Sequence, residues 1–162
     1  MASALIRYQP LRDEIDYTGG FSNEDLNSSL VLPNSKEADP FSWAATCIRQ
    51  WKKDVPWIVV PGKLFDLYGT RHGRGFGWYD RFLAAIPTDW PRIGITTTSQ
   101  LSTLRLPRQA WDQPVDWLMI YDGSVVGSVF ETRARWTEIP GQKCHQLVLE
   151  TNSQVALVSH QP

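Results

Sequence analysis

Apolar residues in this chain fall into short continuous runs, interrupted by one stretch with helical spacing. Ala4-Leu5-Ile6-Arg7-Tyr8 is the first run and predicts a strand, ended by Pro10 and a polar loop from Arg12 to Gly20. Asn23-Glu24-Asp25-Leu26 reads as a helix start or a turn, and Ser29-Leu30-Val31-Leu32 as a second short strand. From Pro40 to Lys53 the apolar positions Trp43, Ala44, Cys47, Ile48 and Trp51 recur at three and four, which predicts an amphipathic helix. Pro56-Trp57-Ile58-Val59-Val60 is apolar throughout, as in a strand covered on both faces of a parallel sheet. A second helix is predicted from about Trp78 to Ala85, stopping before Pro87. Arg92-Ile93-Gly94-Ile95 and Asp116 to Tyr121 are predicted as further strands.

Strands separated by helix or loop segments argue for an α/β sandwich with crossover connections. After Tyr121 the pattern changes. Val125 to Phe130, Gln146 to Leu149 and Val155 to Val158 are β-like, with turn signals at Pro140-Gly141 and Thr151-Asn152-Ser153. The expected organisation is an α/β domain over residues 1–122 and a β-rich extension over 123–162, packed on the same domain.

Composition narrows the function classes. Of 162 residues, 42% are hydrophobic and 20% charged, which fits a folded domain with a real core. A net charge of −1 removes the basic face that bulk nucleic-acid binding needs. No run approaches the ~18 apolar residues of a spanning helix, and Met1 to Ile6 carries no targeting pattern, so the expectation is a cytoplasmic protein without a membrane partner. Cys47 and Cys144 lie too far apart to suggest a disulfide scaffold. Cys144-His145, with no second pair of ligands, does not make a zinc site.

Candidate chemistry sits in Arg71-His72-Gly73-Arg74-Gly75-Phe76-Gly77-Trp78-Tyr79-Asp80-Arg81-Phe82-Leu83. Alternating glycines let backbone N–H groups approach an anion, and arginine forks match phosphate oxygens. A helix beginning at the aromatic pair would turn its positive end toward the same anion. Each residue also has a plain structural use. Arg71 and Arg74 can pair with Asp66 or Asp80, Trp78 or Tyr79 can be core, and Asp80 can be a first-turn dipole partner. Asp112 and Asp116 are ordinary companions of Pro114 in a turn, and Glu14 fits a solvated charge cluster.

The stretch from Val60 to Leu83, with Pro61-Gly62, Phe65-Asp66 and Gly-x-Arg-x-Gly-x-Gly-x-Gly ahead of Trp78-Tyr79-Asp80-Arg81, resembles the signature of the 5-formyltetrahydrofolate cyclo-ligases. Ile6 to Thr18, Arg92 to Ile95 and Asp112-Gln113-Pro114-Val115-Asp116 are similar to flanking segments of that family. The resemblance implies an α/β fold of three α/β/α layers with a mostly parallel, Rossmann-like sheet, a reduced folate as substrate, and ATP and Mg²⁺ as cofactors. It implies phosphate binding by Arg71, Gly73, Arg74, Gly75, Phe76, Gly77, Trp78 and Tyr79, with Arg74 and Tyr79 as catalytic residues. It further implies Glu14, Trp78 and Tyr79 in the folate site, and Asp80 and Asp116 as metal ligands. The chain departs from the pattern at His72 (usually Leu), Phe76 (usually Gly or Lys) and Trp78 (usually Tyr). A second reading is a non-catalytic relative that keeps a folate or nucleotide pocket and binds a protein partner through the C-terminal extension.

Overall fold

The computed structural model describes residues 4–34, 36–73, 76–123 and 125–134, and the backbone alone of 146–151 and 154–159. A six-stranded sheet forms its centre. The strands are β1 (Leu5–Tyr8), β2 (Leu30–Leu32), β3 (Trp57–Val60), β6 (Arg92–Thr97), β7 (Trp117–Asp122) and β8 (Val125–Glu131). Their spatial order is β2-β1-β3-β6-β7-β8, with four parallel pairings and one antiparallel, β7 with β8. The mostly parallel α/β sheet is therefore as expected. β8 follows the change of pattern at residue 123, yet it hydrogen-bonds directly to β7 and buries Val126 and Phe130. β9 (Gln146–Thr151) and β10 (Gln154–Ser159) form an antiparallel pair of their own.

One face of the sheet is covered by α2 (Pro40–Gln50) and α3 (Trp78–Ala84). Asp39 starts α2 by accepting from Phe41 N at 3.0 Å, and Pro40 occupies the first helical turn, where its missing N–H costs nothing. Cys47 and Ala44 face inward at the spacing the sequence predicts and meet Ile6, Ile58, Val60 and Phe82. Trp51 is the C-cap of α2, its N–H donating to Cys47 O at 3.0 Å, so the helix ends at Gln50, three residues before the predicted Lys53, and Trp51 packs edge-on to Trp90 at 6.5 Å.

The other face is covered by the segment after β1, which includes a single 3₁₀ turn at Thr18–Gly20, rather than by a long helix. Rings do the covering. Tyr17 donates its hydroxyl to the Tyr8 carbonyl, and Tyr121 donates to the Tyr17 carbonyl at 2.7 Å. Between them, the two bonds tie this segment to strands β1 and β7. Burial holds all three hydroxyls above their usual range, Tyr17 at about 12. The short helix α1 (Asn23–Asn27), capped by Ser22, leads from here into β2.

Two pieces escaped the sequence pattern. A two-residue antiparallel pair, β4 (Leu64–Phe65) with β5 (Arg71–His72), folds the glycine-rich run back over the sheet. Asp66 organises the turn between them: Oδ1 accepts from Tyr68 N and Thr70 N at 2.9 and 3.0 Å, and Oδ2 accepts from Leu106 N at 2.7 Å. A buried carboxylate with three backbone donors is satisfied in place, so Asp66 serves as a structural clamp. Among the described residues no helix is long and apolar enough to cross a membrane.

Candidate active site at the carboxyl ends of the strands

The strand order reverses between β1 and β3, because β2 lies outside β1 while the later strands follow β3. In an open parallel sheet the crevice beyond the carboxyl ends at such a point is where ligands bind. A cavity of about 1190 Å³ opens there. Tyr8 at the end of β1, Pro33 after β2, Pro61 and Gly62 after β3, and Ile95 in β6 line it. The volume exceeds the upper end of an ordinary single-ligand pocket.

Of the sequence candidates, Glu14, Arg71, Gly73, Phe76, Gly77, Trp78, Tyr79 and Asp80 all line this cavity. Arg74 and Gly75 lie outside the described residues. Arg71 is fixed from two sides: Nε donates to the Pro61 carbonyl at 3.0 Å, and Nη1 meets Asp80 Oδ1 at 3.2 Å. Its side chain is 7% exposed and that of Asp80 17%. Burial lowers the proton affinity of Arg71 and the Asp80 carboxylate raises it again, and the guanidinium stays charged as it does throughout proteins. The arginine expected on phosphate is therefore first the partner of the acid expected on the metal. Gly73 lies so close over Arg71 that a β-carbon would sit 2.8 Å from Nη2. Gly77 adopts φ 66°, a left-handed turn that starts α3 without a side-chain cap.

The aromatic pair divides its work. Trp78 is buried, stacks on Phe82 at 5.4 Å and donates Nε1–H to the Ala38 carbonyl at 2.8 Å. Tyr79 is half-buried against the core, with the Arg71 guanidinium 5.7 Å from its ring centroid. Its hydroxyl bonds to no group among the described residues, and burial raises its pKa above the usual tyrosine value. It therefore remains a protonated donor at the cavity wall.

Asp116 departs from expectation. It is absent from the cavity lining, and its Oδ2 accepts from Arg92 N at 3.0 Å while its backbone bonds to Arg92 and Thr132. Placed at the amino end of β7, on the opposite side from the carboxyl ends that frame the cavity, it stitches β6 to the β7–β8 pair. Asp112, read from sequence as a turn residue, lines the cavity instead. Asp80 Oδ1 is taken by Arg71 and by Gln113 N at 3.0 Å, and Asp112 Oδ2 by Gln109 N at 2.7 Å. Among the described residues no donor reaches Asp80 Oδ2 or Asp112 Oδ1, so one oxygen of each carboxylate faces the cavity side of this network as a candidate for a cation. One or two carboxylates, completed by water and substrate phosphates, suit Mg²⁺.

Sequence reasoning also passed over Trp111, Lys36 and Lys63, which line the same cavity. Lys36 Nζ sits 5.2 Å from the Phe76 ring centroid. All three lie in loops without periodicity, so only their chemical type gave any signal.

No curated protein matches this chain. Among solved structures it is similar to a 5,10-methenyltetrahydrofolate synthetase from Mycoplasma pneumoniae, at 20% identity and a TM-score of 0.49, over 74% of this chain and 73% of that one. A likeness of that size carries nothing about chemistry. The model of the 5-formyltetrahydrofolate cyclo-ligase family matches residues 39–121, just over half of the chain, from α2 into β7. On that match the chain belongs to the 5-formyltetrahydrofolate cyclo-ligase family.

Proposed function

We propose that this protein converts 5-formyltetrahydrofolate to 5,10-methenyltetrahydrofolate at the expense of MgATP. The observation that carries the reading is that every described residue of the family motif from Arg71 to Asp80 for which the sequence predicts a site role lines one cavity. That cavity has room for a folate and a nucleotide together.

In the proposed reaction the formyl oxygen on N5 takes the γ-phosphoryl group and ADP leaves. N10 then bonds to the activated carbon, phosphate departs with that oxygen, and N10 loses its proton. A bound Mg²⁺ supplies neutralising charge at the phosphate oxygens, with Asp80 and Asp112 as the residues that would hold it. The remaining work belongs to the chain. Arg71 fixes the Asp80 carboxylate and keeps this corner of the cavity from carrying a bare negative charge. Tyr79 offers its hydroxyl proton to an oxygen of the ligand and is unsuited to act as a base, because burial favours the protonated form. Gly73 and Gly77 keep the loop backbone close to whatever lies against it.

One observation favours the second reading, a relative that binds without turning over. Among the described residues, the one arginine of the loop that lines the cavity, Arg71, is ion-paired to Asp80, so its charge is already balanced before any phosphate arrives.

The test is direct. Purified protein is mixed with 5-formyltetrahydrofolate and MgATP, and the methenyl product is followed by absorbance. ATP-dependent product that falls at least tenfold in Tyr79→Phe and in Asp80→Asn supports the enzyme. No product, with either ligand still bound by calorimetry, selects the binding relative. If neither ligand binds, both readings fail.

A further inference from the structure

The chain contains eight tryptophans, and all except Trp136 lie among the described residues. Trp43, Trp51, Trp78 and Trp90 belong to the core on the helical side, and Trp57 and Trp117 to the core on the other. Trp111 belongs to neither, makes no ring pairing among the described residues, and is 67% exposed. It nevertheless lines the cavity.

The loop that presents it is not loose. Before Trp111, Ser102 N donates to Phe65 O at 2.7 Å and Leu106 N to Asp66 Oδ2 at 2.7 Å. Arg108 Nη2 bonds to Thr70 Oγ1 at 2.7 Å and to Tyr68 O at 2.9 Å. Immediately around it, Gln109 N donates to Asp112 Oδ2 and Asp112 N returns to Gln109 O at 3.1 Å, closing a turn with Trp111 inside. Just after it, Gln113 N is held by Asp80 Oδ1 at 3.0 Å. A large apolar ring is thus kept in water by a backbone pinned on both sides. Phe76, 56% exposed, is a second wet ring lining the same cavity. Rings of this kind gain most when a flat π-system slides against them.

We infer that Trp111 is a stacking residue for a planar aromatic ring of the bound ligand, with Phe76 as an accessory lip. This rests on the reading of the cavity as a folate and nucleotide site. The ring is then either the pterin or benzoyl portion of the folate or the adenine of the nucleotide, and the arms of the test separate them.

The experiment measures Kd by calorimetry for 5-formyltetrahydrofolate and, separately, for a non-hydrolysable ATP analogue with Mg²⁺. Wild type, Trp111→Ala, Trp111→Phe and Leu104→Ala are compared. Leu104 is an even more exposed apolar residue of the same loop (77%) outside the cavity, and its variant controls for general loop damage. The expected result is a Kd raised roughly tenfold or more in Trp111→Ala for one ligand only, recovered in large part by Trp111→Phe, and unchanged in Leu104→Ala. The ligand that responds identifies the ring. If wild type binds either ligand and Trp111→Ala binds it as well as wild type does, the stacking role is overturned while the cavity reading stands. If Leu104→Ala weakens binding as much as Trp111→Ala, the effect is loop damage and the proposal also falls. If wild type binds neither ligand, both are overturned together.

Discussion

Replacing Asp80 with alanine should cost far more stability than a surface acid would, because of what it leaves behind. Arg71 is 7% exposed and, among the described residues, the carboxylate in ion-pair contact with it is Asp80, at 3.2 Å. Breaking a buried pair by removing one member costs about 3–5 kcal/mol, mostly as an uncompensated charge. Gln113 N–H also loses its acceptor, worth about 1–3 kcal/mol where no water replaces it. The site borders a cavity, and Asp80 itself is 17% exposed, so water entering the gap offsets part of both terms. A net loss of about 2–4 kcal/mol follows, and for a chain of this length it lowers Tm by roughly 4–16 °C. Urea titration of wild type, Asp80→Ala, Arg71→Met and the double variant closes a double-mutant cycle. The double variant should be more stable than Asp80→Ala alone, because it carries no stranded guanidinium. Asp80→Asn, which keeps an acceptor for Gln113 N–H, should fall between. A midpoint for Asp80→Ala within about 0.5 kcal/mol of wild type, the range of an ordinary surface change, would refute the view that Asp80 neutralises Arg71.

Four further outcomes are expected. Gly94→Ala places a β-carbon 2.5 Å from Phe65 Cε1 and 3.0 Å from Leu118 Cδ2, both fully buried, so overpacking should cost about 1–3 kcal/mol in a urea titration. Thr132→Val removes the hydroxyl that donates to Val115 O at 2.7 Å and strands that carbonyl, which should lower stability by about 1–3 kcal/mol, read by thermal melting. The Cys47 thiol, buried and pushed up to about 11, should resist thiol reagents at pH 8 in the native protein and react at once in denaturant. Tyr17 is neutral when protonated and its folded pKa of about 12 lies above its unfolded value near 10, so its stabilising share is full below pH ~10 and drains away as pH rises through 12. Denaturant midpoints should therefore fall between pH 9.5 and 11.5, and less steeply in Tyr17→Phe.

How far the molecule was readable from its residues depended on how far the deciding contacts lie along the chain. β1, β3, β6 and α2 show as runs or as helical spacing because their own side chains make the buried face. The β4–β5 pair, two residues a strand, is too short to carry a period and depends on Asp66 holding its turn. The motif from Arg71 to Asp80 marked one stretch of the cavity wall, since glycine and arginine chemistry is local. It offered Asp80 and Asp66 alike as structural partners for Arg71 and Arg74, and only the fold decides that Arg71 pairs with Asp80 while Asp66 holds backbone N–H groups. Asp116, expected on the metal, and Asp112, read as a turn residue, were separable only in three dimensions. Asp116 lies at the amino end of β7 and Asp112 in the loop ahead of it, and only the latter is turned into the cavity. Trp111 was silent for the same reason, because its placement is decided by Asp66 and Thr70, about forty positions earlier.

The reversal of strand order between β1 and β3 has a consequence for how the protein behaves in a mixture. The cavity wall draws on Tyr8, Pro33, Pro61, Ile95 and Trp111, so it exists only after most of the chain has come together. A ligand that fits it has nothing to hold in a half-assembled chain. Its binding energy is therefore added whole to the unfolding free energy, about 2.7 kcal/mol at a hundredfold excess over Kd. Supply of ligand then governs the lifetime of the protein as well as its occupancy, because chains left empty open more often to proteases than chains that are filled.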